Sequence, residues 1–264
     1  MKPIGKEPNN SFESIVLDSF KENSSLMPSH IAIIMDGNRR WAAKKKIPVF
    51  SGHKAGTKNI ESILKFMELL GIKFLTLFTF STENWNRPKK EVNYITKTLL
   101  AESLAENFSN LHKLVVKILI KGSIVRLDYI TRDNILEAVR KTENNKSINL
   151  IIAFDYGGRK EIIETTKKIV NSKVNSEKIN EDLFNKFLND GVPDPDLVIR
   201  TGGEYRLSNF LIWQTAYSEF FTSNALWPDF DISEFFVEDQ SKHHQFQLLY
   251  SILRKTLQKL DIPV

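Results

Sequence analysis

Three stretches of this chain set acid, amide and guanidinium side chains directly after an apolar run. In HIAIIMDGNRRW (30–41), Ile31 to Met35 is short, branched and uncharged, the pattern of a buried strand. Asp36 ends it. Gly37 permits close backbone approach or an unusual turn. Asn38 suits a helix N-cap, and Arg39, Arg40 and Trp41 follow as a first helical turn. Free amides at a helix start, with two guanidinium groups, make an anion site, most naturally for a phosphate. A carboxylate beside a polyanion needs a cation between them. Mg²⁺ supplies one, because it takes one or two carboxylates plus substrate phosphates. The second stretch is Ser81-Thr82-Glu83-Asn84-Trp85-Asn86-Arg87-Pro88, after the run Phe74 to Phe80. The third is Arg200-Thr201-Gly202-Gly203-Glu204-Tyr205-Arg206-Leu207-Ser208, after Leu197-Val198-Ile199. If the three runs are parallel strands, their carboxyl ends share one edge, where open α/β sheets bind ligands. Arg39, Arg40, Arg87, Arg200 and Arg206 then converge. One phosphate does not need so many cations, whereas two diphosphates do.

Several of these residues also have a plainer reading. Asp-Gly after a strand can be a turn, and paired arginines can be a solvated helix face. His53, after Gly52, can cap a helix or donate to a phosphate. Glu219, in the aromatic stretch Trp213 to Phe221, can bind metal or pair with a buried cation such as Arg200 or Arg206. Trp41 and Trp85 can pack a ligand or the core. The D-x-D pairs Asp194/Asp196 and Asp229/Asp231 sit among prolines and read as turns.

The elements that must position these stretches alternate. Helical spacing runs through Ile60, Ile63, Leu64, Met67 and Leu70, and Gly71 stops it. A helix over about 91 to 110 precedes a strand from Leu114 to Ile120. A charged helix around 131 to 143 precedes a strand from Ile148 to Phe154, which ends in Asp155-Tyr156-Gly157-Gly158-Arg159. The region 171 to 192 reads as helical and peripheral, and about 240 to 260 as a long amphipathic helix. Strand–helix alternation without a repeat or linker predicts one α/β domain, with a mostly parallel central sheet flanked by helices. Residues 1 to 27 read as a mobile leader, with the domain spanning 28 to 264.

Composition narrows the function. The chain has 264 residues, 41% of them hydrophobic, with 18 Phe, ample for a core. A formal charge of +5 and a pI near 9.1 favour acidic partners. With no cysteine there are no disulfides or thiolate metal sites. No apolar run approaches the ~18 residues of a membrane span, and the first residues lack the apolar core of a signal peptide. A cytoplasmic protein is expected. There is no P-loop, no G-x-G-x-x-G, no H-E-x-x-H and no D-D-x-x-D. The basic residues are not interleaved with aromatics along one groove, so nucleic acid is not the expected partner.

Taken together, HIAIIMDGNRRW, GHKAG, FTFSTENWNRP, DYGGR, DLVIRTGGEYRLSNFLIWQ and AYSEFF, in that order over about 28 to 240, resemble the cis-prenyltransferases, and within them bacterial undecaprenyl diphosphate synthase. The resemblance implies a homodimer that uses Mg²⁺, farnesyl diphosphate as starter and isopentenyl diphosphate as extender. It implies a hydrophobic tunnel for the growing chain, a long Z-polyprenyl product such as undecaprenyl diphosphate for cell-wall synthesis, and peripheral membrane contact for its release. Carried over by position, it makes Asp36 catalytic and Mg²⁺-linked, with Glu219 as second metal-linked carboxylate. Gly37, Asn38, Arg39 and Arg40 would hold the allylic diphosphate, beside Trp41 and His53. Ser81, Thr82 and Glu83 begin a mobile loop, Asn84 falls at the proton-acceptor position, and Trp85 and Arg87 follow. Arg200, Arg206 and Ser208 would hold isopentenyl diphosphate. In the tunnel, bulk at the position of Thr79 goes with shorter products, and Ile148 falls at the floor. Two positions depart from the pattern. Val49 stands where many members carry Arg, and Tyr205 where many carry His. The rival reading is a catalytically silent subunit of the same family, which would be expected to lack the motif aspartate and the diphosphate-binding residues.

Overall fold

The computed structural model describes residues 28–100, 102 and 115–231. The leader expected over 1 to 27, the C-terminal helix expected over about 240 to 260, and most of the span 101 to 114 lie outside the described residues. Six strands form one sheet: β1 His30–Ile34, β2 Phe74–Ser81, β3 Lys117–Gly122, β4 Asn149–Tyr156, β5 Leu197–Arg200 and β6 Glu219–Thr222. Their order is β3-β4-β2-β1-β5-β6, and every pairing is parallel. The helices are α1 Asn38–Lys44, α2 Val49–Leu69, α3 Lys89–Asn93 running into a π-helical stretch Tyr94–Leu99, α4 Tyr129–Thr142, α5 Gly158–Asn171 and α6 Glu181–Asn189.

The central strands read as unbroken apolar runs because both of their faces are covered. Ile31 and Ile33 of β1, with Leu75 and Leu77 of β2, pack against Ile63, Leu64 and Met67 of α2. Ala32 and Ile34 face the other way, towards Val198, Phe210 and Leu211. From β1 the chain adds β2 beside it and β3 at the edge, returns to insert β4 between those two, then crosses to β5 and β6 on the other side. The strand order therefore reverses beside β1, and a crevice opens at that point of an α/β sheet, beyond the carboxyl ends of its strands.

Several boundaries and caps differ from the sequence expectation. β1 starts at His30 because the Asp196 carboxylate accepts the amides of Ser29 and His30, at 2.7 and 2.9 Å. The D-x-D segment thus anchors a strand as well as turning. Asn38 is not the N-cap of α1. Gly37 takes that place at φ 118°, and the Asn38 Oδ1 is buried without a hydrogen-bond partner. His53 lies a turn inside α2, which starts directly after Pro48, so it is not a cap.

The larger difference is in β2. Simple alternation puts Leu75, Leu77 and Thr79 on one face and Thr76, Phe78 and Phe80 on the other. The register breaks this: Phe78 pairs with Ala153, Phe80 with Phe154, and Ser81 with Tyr156. Thr79 is an extra residue on β2, and Asp155, at φ 43°, is an extra residue on β4. The two bulges compensate each other. As a result Phe78 stacks on Phe210, whereas Phe80 joins Val92, Ile95 and Phe154 in a separate core.

His30 closes the amino end of the sheet. Its ring contacts the Pro193 carbonyl and the Thr76 hydroxyl, each at 2.7 Å. Burial lowers its pKa to about 4, against the opposing pull of the Pro193 carbonyl and Asp196. The folded pKa lies below the unfolded one, so this contribution to stability is present above about pH 6.5 and is lost as pH falls towards 4. His30→Gln should flatten the decline in denaturant midpoint between pH 6.5 and 4. An equally steep decline in that variant would show that other groups govern it.

Candidate active site

The site is assembled around Asp36 and Arg200. Arg200 ends β5 and is 4% exposed, so its charge must be met inside the protein. Its Nη2 donates to Asp36 Oδ2 at 2.9 Å, and its Nη1 donates to the Arg206 carbonyl at 2.6 Å and to Ser208 Oγ at 2.7 Å. Its Nε is buried with no hydrogen-bond partner, the situation of a donor that a ligand oxygen would satisfy. On the other side of Asp36, Arg40 Nη2 lies 3.2 Å from Oδ1 while Arg40 Nη1 donates to the Gly202 carbonyl. At Gly202 φ is +85°, a left-handed conformation that favours glycine, and a Cβ there would push the Arg40 guanidinium aside. The Asp36 carbonyl accepts from Thr201 Oγ1 and the Trp227 amide. The first and third stretches thus form one network.

The second stretch joins from β2. Ser81 and Asn84 cap each other, with the Ser81 amide donating to Asn84 Oδ1 at 3.1 Å. Asn209 Nδ2 donates to Glu83 Oε1 at 3.0 Å, while the Asn209 side chain and carbonyl accept the amides of Arg159 and Gly158. Burial pushes the Glu83 carboxyl up. Hydrogen bonds from its own backbone, Asn209, Ser81 and Thr82 outweigh this and hold it below the usual range. Arg87 Nη1 lies 3.1 Å from Glu91 Oε1, which also meets His53 Nε2 at 3.2 Å.

These groups ring the mouth of a cavity of about 1160 Å³, larger than the ~300–1,000 Å³ usual for small-molecule sites. Gly37, Asn38, Arg39, Arg40, His53, Ser81, Glu83, Asn84, Arg87, Arg200 and Ser208 line it with Asp36. Its deeper wall is apolar: Ile60 of α2, Ile95 and Leu99 of the π-helical stretch, Ile118 of β3, and Leu150, Ile152 and Phe154 of β4. Phe78 and Thr79, at the bulge, also line it.

Five expected site residues are held elsewhere. Trp41 donates its Nε1 to Asp229, and Trp85 donates to Asp155 at 2.7 Å beneath the Arg126 guanidinium. Thr82 turns to Glu83. The Arg206 side chain is exposed and pairs with Glu204, so its link to the site is the carbonyl that holds Arg200. Glu219 opens β6 opposite Leu197, three residues before the Arg200–Thr222 pair. At about 3.3 Å per residue, it sits roughly 10 Å short of the edge where Asp36 stands. Of the two departures, Val49 lines the cavity as an apolar residue, and Tyr205 is 79% exposed. Ile148 lies just before β4, packed in the core beside Leu150, so Leu150 and not Ile148 faces the cavity.

Sequence reasoning missed Asn209, Glu91, Thr201 and Trp227. Glu91 had a signal, since it stands four residues after Arg87 at helix spacing. For Asn209 none existed, because Ser208 and Asn209 both adopt left-handed conformations that only the turn reveals. Among the described residues, no group of three or more His, Cys, Asp or Glu comes together to hold a metal. Asp36, with its side chain 30% exposed at the mouth, is the carboxylate in place. It suits an ion whose remaining ligands are diphosphate oxygens and water.

A family profile described as undecaprenyl diphosphate synthase, under the heading prenyltransferase, matches residues 34–244. The chain belongs to this family. An isoprenyl transferase of Clostridium perfringens is 44% identical over 251 residues, covering 92% of this chain and 97% of that protein. The ditrans,polycis-undecaprenyl-diphosphate synthase ((2E,6E)-farnesyl-diphosphate specific) of Micrococcus luteus is also 44% identical, covering 85% and 93%. Among solved structures, lavandulyl diphosphate synthase from Lavandula x intermedia, in complex with dimethylallyl diphosphate, superposes with a TM-score of 0.77 at 31% identity, covering 88% of this chain and 96% of that one. The chain is therefore a prenyltransferase with the fold of the cis-prenyltransferases.

Asp36→Ala should nearly abolish turnover of this prenyltransferase, a loss of orders of magnitude, with its circular dichroism retained. Activity within a few-fold of the parent would remove Asp36 from the reaction. Arg200→Ala should raise the KM for a diphosphate substrate far more than Arg206→Ala, whose side chain stands outside the cavity. Equal effects would show that Arg206 swings inward when substrate binds.

Proposed function

We propose that this prenyltransferase adds isopentenyl diphosphate repeatedly to an allylic diphosphate, with farnesyl diphosphate as starter. It then releases a long Z-polyprenyl diphosphate, undecaprenyl diphosphate, as precursor of a cell-wall lipid carrier. The observation that carries this reading is a ring of cations opening into one continuous apolar cavity. Each addition lengthens the chain by five carbons, and burial stabilises it by about 0.8 kcal/mol per CH₂, so diphosphate ends and a growing tail need this combination. The farnesyl diphosphate specificity in the name of the Micrococcus luteus relative and the dimethylallyl diphosphate bound in the lavandulyl relative support an allylic diphosphate here.

In this reading Arg39, Arg40 and Arg87 stabilise charge on the leaving diphosphate as the allylic C–O bond breaks. Arg200 and Ser208 hold isopentenyl diphosphate so that its double bond attacks the allylic carbon. A proton is then lost as the new cis double bond forms. Asn84 is not appreciably basic and its Oδ1 accepts the Ser81 amide, so it orients the acceptor, a water or a phosphate oxygen, rather than taking the proton. Mg²⁺ held by Asp36 and the diphosphates would supply further charge neutralisation. Closure of the 81–88 segment excludes water that would quench the allylic cation. The proposal includes a cytoplasmic homodimer with peripheral membrane contact for product release. The silent-subunit reading is disfavoured because Asp36, Asn84 and Arg200 are present and assembled.

Labelled isopentenyl diphosphate, farnesyl diphosphate and Mg²⁺ given to the purified chain should yield label in a long polyprenyl product. No incorporation would return the silent-subunit reading. Product lengths test the cavity. Thr79→Leu should stop elongation early by filling the bulge, and Leu150→Ala should lengthen the product. Ile148→Ala, one layer behind the wall, should change it less. Unchanged lengths for both Thr79→Leu and Leu150→Ala would show that the chain grows elsewhere.

A further inference from the structure

Glu91, at the start of α3, is a buried carboxylate, 6% exposed, with three cationic or titratable side chains around it. Its Oε1 lies 3.2 Å from His53 Nε2 and 3.1 Å from Arg87 Nη1, and its Oε2 lies 3.8 Å from Arg39 Nε. The three partners come from three elements: Arg39 from α1, His53 from α2, and Arg87 from the turn that follows β2. All three line the cavity, whereas Glu91 stands behind them. Arg39 and Arg87 without an anion between them would repel each other across the mouth, and a carboxylate without cations could not remain buried as a charge. Each side of the cluster therefore requires the other when no substrate is present. The ties are unequal. Arg39 is more than half exposed and beyond hydrogen-bond distance, so it is the partner most readily drawn away by a competing anion. His53 is buried, which lowers its pKa, and its contact with Glu91 opposes that shift.

We propose that Glu91 is a positioning residue that stands in for the allylic diphosphate: it holds Arg39, His53 and Arg87 at the cavity mouth and shares them with the diphosphate when that binds. This rests on the functional reading above. Glu91 would thereby tie the 81–88 segment to α1 and α2 before substrate arrives, so the cations are aimed in advance instead of being gathered from solvent.

The test is calorimetric titration of farnesyl diphosphate into the full chain, which needs no turnover, together with steady-state kinetics. Glu91→Gln keeps the shape and removes the charge. It should weaken farnesyl diphosphate binding by about tenfold or more, while the KM for isopentenyl diphosphate stays within about twofold. Glu91→Asp should recover part of the loss. In an Arg39→Gln background the effect of Glu91→Gln should be smaller than in the parent, because one of the three partners that Glu91 holds is gone. A purely structural role would lower both affinities alike and add to the Arg39 effect, and either result overturns the proposal. Should Glu91→Gln fail to fold, the unmodified chain decides. Inorganic diphosphate should move the His53 imidazole resonance, identified by its loss in His53→Gln, and an unmoved resonance overturns the proposal. A parent chain that binds no farnesyl diphosphate overturns the functional reading and this one with it. Normal parental binding that Glu91→Gln leaves unchanged overturns this one alone.

Discussion

A guanidinium sealed at the end of a central strand cannot stand alone, and the active site follows from that constraint. Arg200 is nearly without solvent, so its charge needs partners that do not leave. It finds the Asp36 carboxylate, the Arg206 carbonyl and the Ser208 hydroxyl. Those contacts bring the loop after β5 back over the edge of the sheet and fix Asp36 between two arginines. Glycine at 202 lets Arg40 reach across to the same loop. Thr201, which donates to the Asp36 carbonyl, adds a further tie between the same loops.

The cavity depends on a different balance. Its mouth is polar because loops at the carboxyl ends of parallel strands carry the donors. Its depth is apolar because the faces of β3 and β4 and one side of α2 are apolar already, as any buried sheet must be. A binding site for a molecule with a charged head and a hydrocarbon tail therefore needs no separate invention. It needs only that the sheet be left uncovered by side chains under the crevice. The paired bulges at Thr79 and Asp155 contribute to this, since they set Thr79 at the wall of the space and direct Phe80 into the packing beside it.

The same bulge connects the wall of the cavity to the catalytic turn. Asp155, in its left-handed conformation, accepts the Trp85 indole, and Trp85 also packs edge-on against Phe80. Arg126 covers the other face of that ring. A tryptophan beside Asn84 is thus held by a strand irregularity and not by substrate. This explains why it stands outside the cavity although its neighbours line it.

Much of this was legible in the residues. The strands of the central sheet were readable as uninterrupted branched runs, because complete burial erases alternation. The three polar stretches were readable as one site, because parallel strands end on one edge. The resemblance to cis-prenyltransferases rested on those same stretches. What the sequence could not determine was which side chains of each stretch face inward. Arg206 and Arg200 are chemically alike, yet one is exposed against Glu204 and the other buried against Asp36. Glu219 and Asp36 are both carboxylates near strands, yet strand register leaves them at opposite ends of the sheet. Residue type and local spacing specify which elements form and where their charges cluster. Register, bulges and left-handed turns are settled by contacts between segments distant in the chain, so only the tertiary structure decides which charge meets the substrate and which holds the protein together.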